Sequence, residues 1–220
     1  DAADSKSLVK SIIKDLGYDD KVYKPNSVLS SISSAKNALV SPEKYATLKD
    51  VMDADRQARR PDTYLIYRIY RDRCVSSGAM DFDDLLYYTN VLLRDNPDLL
   101  HHYQEFFRYV LVDEYQDTNA VQDAIFRAVS DEEKNIFMVG DVKQSIYRFR
   151  LAMPQLFNEK YRTYPVEKGG KTRKIILSKN FRSRKNVLDG INFIFRQTMS
   201  EAFGDVDYND EAALYDGADF

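Results

Sequence analysis

A chain of 220 residues, 44% hydrophobic and 30% charged, has the make-up of a globular protein with one large domain, or one domain and pieces of another. No apolar run approaches the roughly 20 residues of a membrane span, and the polar, acidic opening "DAADSKSLVK" is no signal peptide, so no membrane partner and a cytoplasmic setting are expected. The single Cys74 excludes an internal disulfide and a cysteine zinc cluster, while the net charge of −3 decides nothing about nucleic acid, because a local basic groove binds phosphate on an acidic protein too.

The first residue is Asp1, and the chain opens in what reads as a helix already under way, which suggests a fragment. Apolar residues at 8, 12, 13 and 16 have helical spacing, with Gly17 as the stop. A second helix is expected from Pro25 with Asn26 or Ser27 as cap, a third from Pro42, and another ending near Ser77, with Pro61 breaking the region. Asp81 should cap a helix with an apolar stripe at Leu85, Leu86, Val91 and Leu92, and "NPDLLHHYQEFF" closes an all-helical stretch over 1–107. Asp81, Asp83 and Asp84 read as capping and solvated acids. His101 and His102 are adjacent on a helix, cannot face one metal together, and read as surface residues.

From residue 108 the period changes. "RYVLVDE", "KNIFMVGD" and "RKIILSKN" are short apolar runs ending in polar residues, with helical stretches between them. Alternating buried strands and helices predict an α/β fold with a parallel sheet, in which ligands sit at the carboxyl ends of the strands. "EKGGKTRK" reads as a turn or a domain boundary. In "LVDEYQDTN", 111–119, an apolar strand stops to place Asp113 and Glu114 side by side. Two acids after a strand can simply meet solvent. They can also serve a phosphate chemistry in which one carboxylate holds Mg²⁺ and its neighbour polarises the attacking water.

The longer pattern is more specific. "MDFDDLL" at 80–86, "VDEYQDTN" at 112–119, "VGDVKQSIYRFR" at 139–150 and "LSKNFRSRKNVL" at 177–188 occur in this order. Together they closely resemble the superfamily 1A DNA helicases of the UvrD/Rep/PcrA and AddA/RecB group, and their motifs II, III and IV. The resemblance implies part of a RecA-like P-loop NTPase motor with an N-terminal all-helical accessory subdomain. The divisions would be the accessory subdomain at 1–107, a RecA-like segment with motifs II and III at 108–165, and the start of the second motor domain with motif IV at 166–220. It further implies ATP and Mg²⁺ as cofactors, single-stranded DNA as partner, 3′ to 5′ movement, and a setting in repair or recombination. The other partners would be the remaining helicase domains and, for an AddA-like chain, a second nuclease or helicase subunit.

The resemblance also assigns roles. Asp113 would bind Mg²⁺ and Glu114 would be the base. Gln144 and Arg150 would contact the γ-phosphate. Arg182 would stabilise transition-state charge, and Phe181 would stack on adenine. Tyr147 and Phe149 would stack on DNA bases, Phe149 standing where the family usually has tryptophan. Apart from the resemblance, Lys36 in "SSAKN" is a candidate contact to DNA phosphate. Plainer readings stand beside these: Gln144 as a loop amide, Tyr147 and Phe149 as one face of a half-buried strand, Arg182 as a surface salt-bridge residue, and Lys36 as a solvated lysine.

No G-x-x-x-x-G-K-[ST] loop occurs in the chain, and the family places that loop upstream of motif II. The expectation is therefore a fragment inactive by itself. Up to about residue 119 the chain resembles UvrD/PcrA, and from about 120 it resembles AddA. A recombinant, a misassembled gene, an artificial hybrid and a natural intermediate would each give that pattern. Two other functions stay open: a non-catalytic DNA- or protein-binding module derived from a helicase, and a metal-dependent nuclease using Asp113 and Glu114.

Overall fold

In the computed structural model, residues 2–145, 151–204 and 206–217 are described. They form a mostly helical molecule with two small two-stranded sheets, and divide into two compact units: 1–111 with 118–137, and 112–117 with 138–220.

The first unit is built from helices α1 (Ala2–Asp15), α2 (Pro25–Asn37), α3 (Pro42–Tyr45), α4 (Lys49–Gln57), α5 (Thr63–Ser76), α6 (Phe82–Asp95), α7 (Pro97–Phe106) and α8 (Ala120–Val129). Gly17 ends the first helical stretch at φ +72°, a conformation that costs glycine nothing. α2 starts at Pro25 itself, with Lys24 at the cap position and no side-chain cap, so the fixed φ of proline does the work expected of Asn26 or Ser27. Pro61 falls in the break between α4 and α5.

The core collects the helical stripes: Val9, Ile12 and Ile13 of α1, Val28 and Ile32 of α2, and Ile66, Tyr67 and Tyr70 of α5, with Tyr45 and Cys74. Its tyrosines keep their hydroxyls satisfied. Tyr45 donates to the buried Asp55 carboxylate at 2.7 Å, and Tyr67 donates to the Val40 carbonyl at 3.1 Å. Burial pushes the Tyr45 phenol well above its ordinary value, and the hydrogen bond to Asp55 adds to this.

α6 differs from its expected form. Asp81 does cap it, in a reciprocal capping box with Asp84. The apolar stripe, however, stays half open: Leu85 and Leu92 are exposed, and the buried residues of the helix are Asp84 and Leu93. The helix packs against α2, α7 and α8, and its first turn adds polar contacts from Asp81, Asp83 and Asp84.

The strands also depart from expectation. β1 (Val110–Val112) and β2 (Ile136–Met138) pair, with Val110 N donating to Asn135 O and Val139 N to Val112 O, so both run the same way. Each buries its alternate residues only partly and leaves its middle one out, Leu111 at 76% and Phe137 at 53% exposure. The third run, "RKIILSKN", does not join them. Only Lys179–Asn180 is strand, β3, and it pairs in parallel with β4 (Tyr215–Asp216). Ile175, Ile176 and Leu177 are exposed. An apolar run becomes a strand only where something covers it, and among the described residues nothing packs over 175–177 closely enough to do so. The strands read from residue 108 onward thus form two separate pairs, and β3 lies in the stretch after residue 165. The second unit also holds α9 (Pro154–Thr163) and α10 (Lys185–Thr198).

Candidate nucleotide-handling site

At the end of β1 the chain changes direction within one residue. Glu114 lies at φ +52°, in the left-handed region, and a short 3-10 turn follows at Tyr115–Asp117. A non-glycine residue there carries strain of about 1–3 kcal/mol and persists only where its surroundings fix it. Asp113 Oδ1 accepts from the Glu114 amide at 2.9 Å, and Tyr115 N donates to Val139 O at 2.8 Å. Tyr115 is fully buried and packs against Phe157 of α9. The two carboxylates are therefore held at an exposed corner by a buried neighbour. This answers why the strand stops: the turn needs an amide acceptor at 113 and an anchor at 115, and it leaves both acids in reach of a ligand.

A second loop meets the first. Gln116 is 4% exposed, and its Oε1 accepts from the Asp141 amide at 3.0 Å. Asp141 in turn caps the short turn Val142–Gln144, accepting from Lys143 N at 3.1 Å, Lys143 Nζ at 2.9 Å and Gln144 Nε2 at 3.0 Å. Burial raises the Asp141 carboxyl, but the bonds from Lys143 and Gln144 outweigh it and hold the group below the usual carboxylate value. Gln144, though exposed, is thus oriented by Asp141. Neither Gln116 nor Asp141 stood out in the sequence. The only signal for them was an amide between acids and an acid directly after a strand.

Gly140 makes this meeting of loops possible. A Cβ there would lie 2.8 Å from Gln116 Oε1 and 3.1 Å from the Phe157 ring. Gly140→Ala is expected to cost about 1–3 kcal/mol through overpacking. A urea melt of the variant, beside hydrogen exchange at the Asp141 amide, checks this; an unshifted midpoint would mean that the contact yields freely.

Phe181 and Arg182 stand on the turn after β3. Asn180 Oδ1 accepts from Arg182 N at 2.9 Å and from Ser183 N at 2.8 Å, which fixes the turn and leaves both side chains exposed. The Phe181 ring lies against Gly217, where a Cβ would come within 2.6 Å of it. Tyr147, Phe149 and Arg150 lie outside the described residues.

Lys36 requires a correction. It is 2% exposed and inserts its ammonium between Asp81 Oδ2 and Asp84 Oδ1, 2.7 Å from each, above the Tyr70 ring. A lysine so enclosed has no reach to a DNA phosphate. Asp81 and Asp84 are likewise not solvated acids. Burial raises both carboxyls; at Asp81 the Lys36 charge and hydrogen bonds prevail and lower it, while at Asp84 burial prevails and raises it. Asp83 accepts from Asn37 Nδ2 at 2.9 Å. His101 and His102 are on the surface, as expected.

Mg²⁺ commonly takes one or two carboxylates and fills its octahedron with water and phosphate oxygens. Among the described residues no group of three or more His, Cys, Asp or Glu side chains is arranged to hold a metal. Asp113, exposed beside Glu114, fits the sparse type of site.

The strand-end acid pair at 113–114 is thus tied to a second strand-end loop at 141–144, and comparison with known proteins gives the family. The chain belongs to the UvrD/REP helicase family: the model of the UvrD/REP helicase N-terminal domain matches residues 1–165. It is similar to the A subunit of the ATP-dependent helicase/nuclease from Alkaliphilus oremlandii, 45% identical over 188 residues, which is 82% of this chain and 15% of that protein. The same subunit from Clostridium beijerinckii is 51% identical over 154 residues, covering 65% of this chain and 12% of that protein. That of Acetivibrio thermocellus is 39% identical over 230 residues, covering 99% of this chain and 17% of that protein, so both halves align with one relative. The chain thus spans well under a fifth of the length of these relatives. No helix among the described residues is long and apolar enough to cross a membrane.

Proposed function

We propose that the chain is the part of an ATP-dependent DNA helicase that carries the metal- and water-handling loop of the first RecA-like motor domain. The observation that supports this most is the Asp113–Glu114 corner, strained at Glu114 and joined to the Gln144 loop through Gln116 and Asp141. In this reading Asp113 ligates Mg²⁺ and Glu114 takes a proton from the attacking water. Gln144 and Arg150 would contact the γ-phosphate, and Arg182 would meet the charge of the transition state. Phe181 stacks on adenine, and Tyr147 and Phe149 on bases of single-stranded DNA. Bound Mg²⁺ would neutralise charge on the transferred phosphoryl group.

The domain division at 107 and 165, the 3′ to 5′ direction, the cytoplasmic setting and the role in repair or recombination belong to the same proposal. So does a second polypeptide as partner, which the relatives' description as one subunit of a helicase/nuclease favours. No G-x-x-x-x-G-K-[ST] phosphate cradle occurs in these 220 residues. The purified chain should therefore show no DNA-stimulated ATP hydrolysis. Turnover above background that disappears in Glu114→Gln would place a complete site within the chain and contradict this reading.

A further inference from the structure

Asn119 closes the acid loop and opens α8. It does both parts of a capping box: its Oδ1 accepts from Gln122 N at 3.0 Å, and its own N donates to Gln122 Oε1 at 3.0 Å. Capping leaves one group over, the Nδ2 donor. That donor reaches Asn37 Oδ1 at 2.7 Å, a contact between two buried side chains 82 positions apart. Asn37 is the last residue of α2, and its own Nδ2 donates to Ser33 O and to Asp83 Oδ1, each at 2.9 Å. Next to it Lys36 bridges Asp81 and Asp84, and Tyr70 donates to Asp81 at 2.8 Å. A largely buried cluster of polar contacts therefore joins α5 and α6 to the end of α2, and Asn37 carries it to the residue where the acid loop ends.

We infer that Asn37 is a positioning residue for the acid loop, acting through Asn119. The loop is short, and its strained Glu114 needs both ends fixed. At the entry, Val139 N donates to Val112 O and Tyr115 N to Val139 O. At the exit Asn119 is tied to Asn37 by a buried, directional bond, which a serine cap would not supply. This inference rests on the reading of 113–117 as the functional loop only for its consequence in catalysis; the contact itself is tested without nucleotide.

The test is amide hydrogen exchange of the 220-residue chain, followed by mass spectrometry. Asn119→Ser keeps a helix cap and removes the donor to Asn37. Peptides spanning 113–119 should exchange about tenfold faster, as for loss of one buried hydrogen bond, while 63–76 in α5 stays unchanged. Asn37→Asp keeps the acceptor for Asn119 Nδ2 but sets a second carboxylate against Asp83; the repulsion should displace residue 37 and give a smaller loss at the same peptides. Adding Asp83→Asn to it swaps charge and amide, restores a donor to the pair, and should recover most of the protection. Unchanged exchange at 113–119 in Asn119→Ser overturns the inference. So does a loss spread equally into α5, or a swap that recovers nothing. None of these outcomes bears on whether Asp113 and Glu114 serve ATP, which is measured separately.

Discussion

Lys36→Ala should destabilise the chain by about 3–5 kcal/mol, the range seen when one partner of a buried ion pair is removed. Its ammonium sits between two carboxylates with 15% and 5% side-chain exposure, so its loss leaves two buried charges facing one another. The effect should depend on pH, with a definite sign. In the wild type the Asp81 carboxyl lies below its ordinary value, so its contribution is full above the unfolded pKa and lost as pH falls through the folded one. In the variant, burial acts without the cation and raises both carboxyls. A carboxyl whose folded pKa exceeds its unfolded one loses stability as pH rises. The gap between variant and wild type should be widest near about pH 7 and narrow towards about pH 4, close to unfolded carboxylate values. Paired urea melts at the two pH values read it. A gap of under about 1 kcal/mol near neutrality, or one that grows in acid, would show that Lys36 is not the counter-ion of this cluster.

The largest effect on chemistry is expected at Glu114. In a motor protein that joins this segment to a phosphate-binding loop, Glu114→Gln should leave ATP binding intact and lower kcat by at least ~10². The amide keeps the size of the side chain and accepts no proton. Because Glu114 is exposed and its backbone conformation is set by its neighbours, the melting temperature should not move. Steady-state hydrolysis and nucleotide titration separate the two effects. A variant that hydrolyses ATP at the wild-type rate would remove Glu114 from the mechanism; one that loses binding and stability together would make it a structural residue.

Much of this was legible in the sequence, and for local reasons. Helical periodicity, Gly17, Pro25, Pro61 and the Asp81 cap act within a few residues of chain, and each marks an element boundary observed in the fold. The motif strings likewise named the family that the comparisons show. Contacts between distant residues were not legible. Lys36 reads as a surface lysine because nothing nearby in sequence announces two acids 45 and 48 positions away. The run at 174–177 reads as a buried strand because apolarity is local while cover is not. Gln116 and Asp141 went without a role because an amide and a loop acid acquire one only when two strand ends meet, 25 residues apart.

Whether Asp113 ligates the metal of a bound nucleotide is read most directly by ATP-dependent binding of Mn²⁺, a paramagnetic substitute for Mg²⁺, in the same motor protein. Electron paramagnetic resonance follows the free ion as it is titrated against the wild type, Asp113→Ala and Glu114→Gln. The expected result is that Asp113→Ala weakens Mn²⁺ binding in the presence of ATP by at least about tenfold, while Glu114→Gln leaves it unchanged. Equal Mn²⁺ affinity in Asp113→Ala and wild type would contradict the assignment of this corner as the metal-nucleotide site.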